Sequence, residues 1–249
     1  MNILICGSSG KMGKAVFEAI ERNDGVEVIC GVDAFSKGEL SFKEYKSFED
    51  VKDIPDVVVD FSNPVNLDSV YDFCVKNNVP AVICTTGFSE EQVEKIKDLS
   101  KKVPVFYSGN MSLGVNLLIE LSKKATAVFG SGFDIEIVEK HHNQKIDAPS
   151  GTALMIADAI STVMEQEPQY VYDRHSYRAK RKSNEIGIHA VRGGTIVGEH
   201  SVIFAGNDEV LTLTHQAQSK SLFATGAVSA AKFLIGKEPK MYNMSDMLA

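Results

Sequence analysis

Residues 2–7, Asn2-Ile-Leu-Ile-Cys-Gly7, are a short run of branched apolar positions ending on glycine, the pattern of a buried strand followed by a sharp turn. After Gly13 the apolar spacing becomes helical. Ala15, Val16 and Ile20 fall on one face before Asn23-Asp24-Gly25 breaks the period. The same grammar repeats: strands are predicted at 26–32, 57–61, 79–84 and 103–107, and helices at 65–77 and 89–99. Short strands that are apolar throughout, separated by amphipathic helices, imply a parallel sheet covered on both faces.

Beyond Met111 the pattern changes. A helix is predicted at 113–128, a strand of period two at 133–138, a helix at 153–164, and strands at 186–190, 195–204 and 209–214 between glycine, asparagine or aspartate turns. This part favours α+β packing. The apolar helix at 221–234 resembles the helices of the first half, so the expected arrangement is a nucleotide-binding domain of residues 1–112 completed by 220–249. Residues 113–219 would be inserted as a second, α+β domain.

Composition narrows the classes. The 249 residues include 44% apolar and 24% charged positions, and Lys+Arg 26 against Asp+Glu 33 gives a net charge of −7. Disorder throughout is excluded. The acidic balance argues against non-specific nucleic-acid binding, and the basic run 178–182 reads as a solvated turn, a small-anion contact or a phosphate contact. No apolar run approaches the roughly 20 residues of a membrane span, and no secretory leader is evident, so a cytoplasmic location is expected. Cys6, Cys30, Cys74 and Cys84 form no C-x-x-C pair and read as buried thiols.

Two segments carry chemistry. Gly7-Ser8-Ser9-Gly10-Lys11-Met12-Gly13 joins the first strand to the first helix, where exposed amides and the helix dipole can hold a pyrophosphate. Its spacing is G-x-x-G-x-x-G, with Ser8 where the common fingerprint places a glycine, so Gly7 would make the turn. Asp33, 20 residues after Gly13, is placed to accept hydrogen bonds from an adenosine ribose. Those features make the first domain Rossmann-like and favour NADH over NADPH, because a 2′-phosphate would meet the aspartate and Ala34 offers no cation, although Lys37 could swing into range.

The second segment is Glu139-Lys-His-His-Asn-Gln-Lys145-Ile-Asp-Ala-Pro-Ser150-Gly-Thr152. His141 and His142 can exchange protons near neutrality, and Lys145 can fix a carboxylate or give a proton. Ser150-Gly151-Thr152 resembles a helix cap whose amides can hold an anionic group. Two adjacent histidines without H-E-x-x-H or a cysteine set specify zinc poorly, so no metal is expected. His189, His200 and His215 fall on predicted strands and read as packing residues, and His175 carries less information still.

Together Gly7-x-x-Gly10-Lys-Met-Gly13, Cys84-Thr-Thr-Gly-Phe88 and the histidine-centred segment resemble the 4-hydroxy-tetrahydrodipicolinate reductases. The resemblance runs over nearly the whole chain and includes Gly198-Glu-His200 and Leu213-Thr-His215. It implies an NADH- or NADPH-dependent reductase of lysine and diaminopimelate synthesis acting on a small cyclic dicarboxylate, with residues 113–219 as the substrate-binding and oligomerisation domain of a homotetramer. His141 and Lys145 would be catalytic, and His142, Gly151 and Thr152 would contact substrate. Cofactor contacts would come from Gly7 to Met12, from Asp33, from Cys84, Thr85 and Thr86, and from Ser108, Gly109, Asn110 and Met111. Ala34, Asn63 and Lys220 stand where some relatives have arginine. Closure of the second domain over the first would bring hydride donor and acceptor together. Another NAD-dependent reductase of a small carboxylate and a dinucleotide-responsive regulatory protein are the competing readings.

Overall fold

The branched residues of β1 (Asn2–Cys6) are buried from Ile3 onward. In a computed structural model describing residues 1–176 and 178–248, they lead into α1 (Lys11–Glu21), β2 (Glu27–Val32), β3 (Lys43–Tyr45), β4 (Val57–Asp60), α2 (Leu67–Asn77), β5 (Ala81–Ile83), α3 (Glu90–Leu99) and β6 (Val105–Tyr107). The chain continues through α4 (Leu113–Phe129), β7 (Asp134–His141), α5 (Gly151–Ser161), β8 (Gln169–Val171), β9 (Glu185–Arg192), β10 (Gly198–Ala205) and β11 (Val210–Ala217). It ends with α6 (Ser221–Leu234), β12 (Met241–Tyr242) and α7 (Met244–Leu248).

Two units result, Met1–Ser112 with Ser221–Ala249, and Leu113–Lys220. In the first, the strands run parallel in the order β12-β6-β5-β4-β1-β2-β3. Side chains alternate across this sheet. Ile3, Ile5, Val57 and Val59 pack with α1, α6 and α7, whereas Leu4, Val58, Ala81 and Ile83 pack with α2 and α3. The α/β reading of the first half and the Rossmann-like order are therefore present in the structure.

The second unit is a mixed sheet, β11-β10-β7-β9-β8, in which β7 pairs antiparallel with β10 and parallel with β9. One face carries Ile135, Ile137, Ile186, Ile188, Val202 and Phe204 against α4 and α5. This is the expected α+β unit.

Several boundaries differ from the sequence reading. The first helix starts at Lys11, so Gly13 lies in its first turn rather than before it. β7 runs to His141, three residues beyond the predicted end, because its alternation continues with polar residues on the covered face. β10 begins at Gly198, since the positive φ of Gly194 makes a turn where a strand start was expected. β3, β8 and β12 are two- or three-residue strands with too little length to show a period. All four cysteines are buried free thiols, and burial pushes each of them up, leaving them poor nucleophiles. No helix among the described residues is long and apolar enough to cross a membrane.

A close approach fixes α6 in the first unit. A Cβ on Gly226 would collide with the backbone carbonyl oxygen of Met111, which has no freedom to retreat. Gly226→Ala is expected to cost about 1–3 kcal/mol, and thus lower Tm by about 2–4 °C per kcal/mol, as measured by thermal unfolding.

Candidate active site

Where β1 runs out, Gly7 adopts φ +80° and donates its N–H to the Val32 carbonyl at 2.8 Å. A Cβ at this position would lie 2.6 Å from the Phe61 carbonyl oxygen, and one at Gly13 would strike Gly7 and Ser8. The loop thus passes through a gap that only glycine fits. Gly10 closes the turn by donating to the Gly7 carbonyl at 3.1 Å and opens α1 as a residue with no capping side chain. The first-turn amides of such a helix remain available to an anion.

Carboxylates surround this loop. Asp33, directly after β2, accepts the Ser9 N–H at 3.1 Å and the Phe35 N–H at 2.9 Å. Glu44 on β3 also reaches this loop, and the sequence reading missed it. Its Oε1 accepts the hydroxyls of Ser8 at 2.6 Å and Ser9 at 2.9 Å, and its Oε2 accepts that of Ser36 at 2.6 Å. Partial burial works to raise the Glu44 carboxyl, but these hydroxyls outweigh it and hold it below the usual carboxylate range. Nothing local announces Glu44, because its partners belong to two other loops.

Asp33 and Glu44 share a cavity of about 320 Å³ with Lys14 and Lys37. A larger one of about 620 Å³ adjoins Gly7, Gly10 and Asp33, with exposed Phe35 and Val65 on its wall. Free helix-start amides, a glycine cradle, an acidic rim and an apolar platform suit, in turn, a pyrophosphate, ribose hydroxyls and a planar base. A dinucleotide fits this set.

The ends of β4 and β5 are joined beside it. Buried Asp60 accepts from Ser62 N–H at 3.1 Å and from Ser62 Oγ–H at 2.5 Å, while Thr85 Oγ1 also accepts the Ser62 N–H at 2.9 Å. Cys84 and Thr85 are buried and Thr86 is exposed. After β6, Ser108 donates to the Asn110 carbonyl at 3.0 Å and Asn110 Oδ1 accepts the Ser112 N–H at 2.8 Å, folding 108–112 into a tight loop with Met111 buried.

In the second unit, the period of two along β7 sets Ile135, Ile137, Glu139 and His141 on one face. Glu139 stands fully buried where an apolar residue would be expected. The sheet register pairs His141 with Arg192 of β9 and Glu139 with His200 of β10. Arg192 forks onto Glu139 at 2.7 and 2.8 Å, His141 Nδ1 lies 2.6 Å from Glu139 Oε2, and the Ser150 N–H reaches Oε1 at 3.0 Å. Ser150 caps α5 through the Ala153 N–H at 3.2 Å and sits 3.0 Å from His200 Nε2. The His200 ring meets His141 edge-on at 5.2 Å.

His141 and the start of α5, with Gly151 and Thr152 in its first turn, are therefore held by one network. Lys145 ion-pairs with Asp147 at 2.9 Å, and His142 lies just past the end of β7. The sequence reading gave Glu139 no role of its own, took His200 as a packing residue and passed over Arg192. A carboxylate in the apolar phase of an alternating strand was the available signal for Glu139, since a buried charge requires partners. His200 belongs to this network, whereas His189 binds Glu136 at 2.7 Å and His215 packs against Gly114. In the basic run, Arg181 is occupied by Asp134, Glu136 and backbone carbonyls.

Residues 1–111 match the family model described as dihydrodipicolinate reductase, N-terminus, and residues 114–248 match dihydrodipicolinate reductase, C-terminus. The chain belongs to the dihydrodipicolinate reductase family. A 4-hydroxy-tetrahydrodipicolinate reductase of Caldanaerobacter subterraneus subsp. tengcongensis is 52% identical across 100% of this chain and 98% of its own length. One from Clostridium novyi is 44% identical over 99% and 97% respectively. A dipicolinate-bound dihydrodipicolinate reductase from Paenisporosarcina sp. TG-14 superposes with TM-score 0.83 at 26% identity, covering 98% of this chain and 97% of that one. In this chain the buried network described above links the His141 imidazole to the start of α5.

That network has a pH signature. Burial, aided by the His141 charge, pulls His200 down to about 4. In the unfolded chain a histidine binds its proton near 6.5, so between about 6.5 and 4 the unfolded state takes up more protons and stability falls with pH. The expected loss is on the order of 3 kcal/mol over that window. His200→Gln should flatten the decline, as read by denaturant unfolding at successive pH values.

Proposed function

We propose that this chain is a NAD(P)H-dependent oxidoreductase that reduces 4-hydroxy-tetrahydrodipicolinate to tetrahydrodipicolinate. The observation that carries the reading is the joining of a proton-exchanging imidazole to a helix start by a single buried carboxylate, in a chain of this family. When bound, the reduced nicotinamide supplies a hydride to C4 of the ring after the ring has lost water. The electron pair displaced by hydride addition moves to the neighbouring ring carbon, which must then take one proton.

His141 supplies that proton, with Lys145 as a second donor. The amides of Gly151 and Thr152 hold a substrate carboxylate at the α5 start, where the dipole favours negative charge. His142 contacts the substrate, and Lys145 exchanges Asp147 for a substrate carboxylate or binds beside it. Cofactor contacts come from Gly7 to Met12, Asp33, Cys84 to Thr86 and Ser108 to Met111. Hydride transfer demands an approach of roughly 3–3.5 Å between donor and acceptor carbons.

NADH is the proposed preferred cofactor. Glu39 and Glu44 join Asp33 on the cavity wall, so a 2′-phosphate would meet three carboxylates against the two amines of Lys14 and Lys37. A homotetramer built on the second unit's sheet is supported by the edge position of β11 and its exposed Val210 and Leu211, and light scattering would read it. The pathway reading carries with it a cytoplasmic location.

The deciding measurement is loss of reduced-nicotinamide absorbance when freshly generated substrate is added, with controls lacking protein or substrate. His141→Gln and Lys145→Ala should each lower kcat by about 100-fold or more, whereas Thr152→Val should act mainly on KM. Near-normal turnover in both of the first two variants would remove the proton route. A kcat/KM favouring NADPH by about tenfold or more would overturn the cofactor preference.

A further inference from the structure

Every acceptor direction of the Glu139 carboxylate is taken. Oε2 receives His141 Nδ1 at 2.6 Å and an Arg192 nitrogen at 2.8 Å, and Oε1 receives the other Arg192 nitrogen at 2.7 Å and the Ser150 N–H at 3.0 Å. Its partners come from the last residue of β7, the last residue of β9 and the cap of α5. Burial acts to raise this carboxyl, but Arg192, His141 and the Ser150 amide together hold it below the usual range, so it is ionised at neutral pH. An ionised carboxylate has no hydrogen to give, and the imidazole nitrogen facing it must therefore carry one.

We propose that Glu139 is a positioning residue of the reductase: it keeps the unreactive hydrogen of His141 on Nδ1, so that Nε2 is the nitrogen that takes a proton from water and passes it to the substrate, and it holds Nε2 in register with the α5 amides through Ser150. Arg192 keeps the carboxylate charged and planar with its fork. This rests on the reading of His141 as the group that exchanges the substrate's proton.

A bare ion pair would not explain the arrangement. A buried Arg–Glu pair can be replaced by apolar side chains with little loss or even a gain in stability, so stability alone gives no reason to spend one carboxylate oxygen on an imidazole at the strand's end. The far side of the ring lies against a residue without a side chain. Gly198 of β10 faces it, and a Cβ there would sit 3.1 Å from Nε2. The charged and titratable groups around the ring are Glu139 on β7, Arg192 on β9 and His200 on β10, with Lys145 in the loop after β7 contributing to the field at His200. Asp147 pairs with Lys145 at 2.9 Å and acts on Arg192, and Glu139 is the carboxylate in hydrogen-bond contact with the ring.

The wild-type protein gives the first test. A long-range proton–nitrogen NMR correlation of the His141 ring above its titration should report the Nδ1–H tautomer, and the Nε2–H form would overturn the proposal. Glu139→Gln keeps the volume and an acceptor for Arg192 and Ser150 but loses the charge. It should lower kcat about tenfold or more with substrate KM changed by less than about threefold, and move the high-pH limb of the kcat profile to lower pH, because the imidazolium loses its carboxylate. Arg192→Lys should shift the same limb in the same direction, by less. His141→Gln separates the two ideas. If it retains turnover, the underlying role of His141 fails. If it is inactive while Glu139→Gln keeps the wild-type kcat, pH limb and ring tautomer, the positioning role fails alone.

Discussion

A strand sealed between two layers must pair every backbone N–H and C=O within its sheet, and its side chains have no room for unpaired polar atoms. β1 and β4 meet that constraint almost completely: from Ile3 to Val59 their apolar side chains are inaccessible to water. Chemistry is thereby pushed to where the strands stop. Gly7, Asp33, Ser62 and Thr85 gather at the C-terminal ends of β1, β2, β4 and β5, and the first free amides of α1 join them there. The position of the candidate nucleotide site follows from the sheet's inability to accommodate polar groups anywhere else.

Both units then use the same device to fix their loops. Glu44 draws together Ser8, Ser9 and Ser36, and Glu139 draws together His141, Arg192 and Ser150. Apolar contact could pack such segments, but it is non-directional and tolerates small slips. A carboxylate whose acceptor directions are filled sets both distance and angle, as the proposed phosphate cradle and proton-exchanging ring would require. The two carboxylates differ in setting. Glu44 is partly exposed and satisfied by neutral hydroxyls, whereas Glu139 is fully buried and is held in its ionised form by Arg192 together with His141 and the Ser150 amide.

The second unit shows how a polar network enters a core without disrupting it. β7 keeps Ile135 and Ile137 in the apolar phase and then places Glu139 and His141 in the same phase, so the network grows from one end of the covered face. His200, pulled down to about 4 by burial and its neighbours, stays neutral beside His141 and adds no competing positive charge there at neutral pH.

Local periodicity and composition determined the alternation of strands and helices in the first half, the glycine turn at Gly7 and the change of grammar after Met111, because each is written in residues a few positions apart. The quoted motifs likewise determined the family. Strand ends and two- or three-residue strands such as β3 and β12 were not legible, since such strands exist only by pairing with an edge already formed. Tertiary structure alone decided that Arg192 lies beside His141, that His200 stands opposite Glu139 and that Glu44 reaches the serines of the first loop. Arg192 and Glu139 are 53 positions apart, and what joins them is the hydrogen-bond register between β7 and β9, a property of the assembled sheet to which neither segment holds the key by itself.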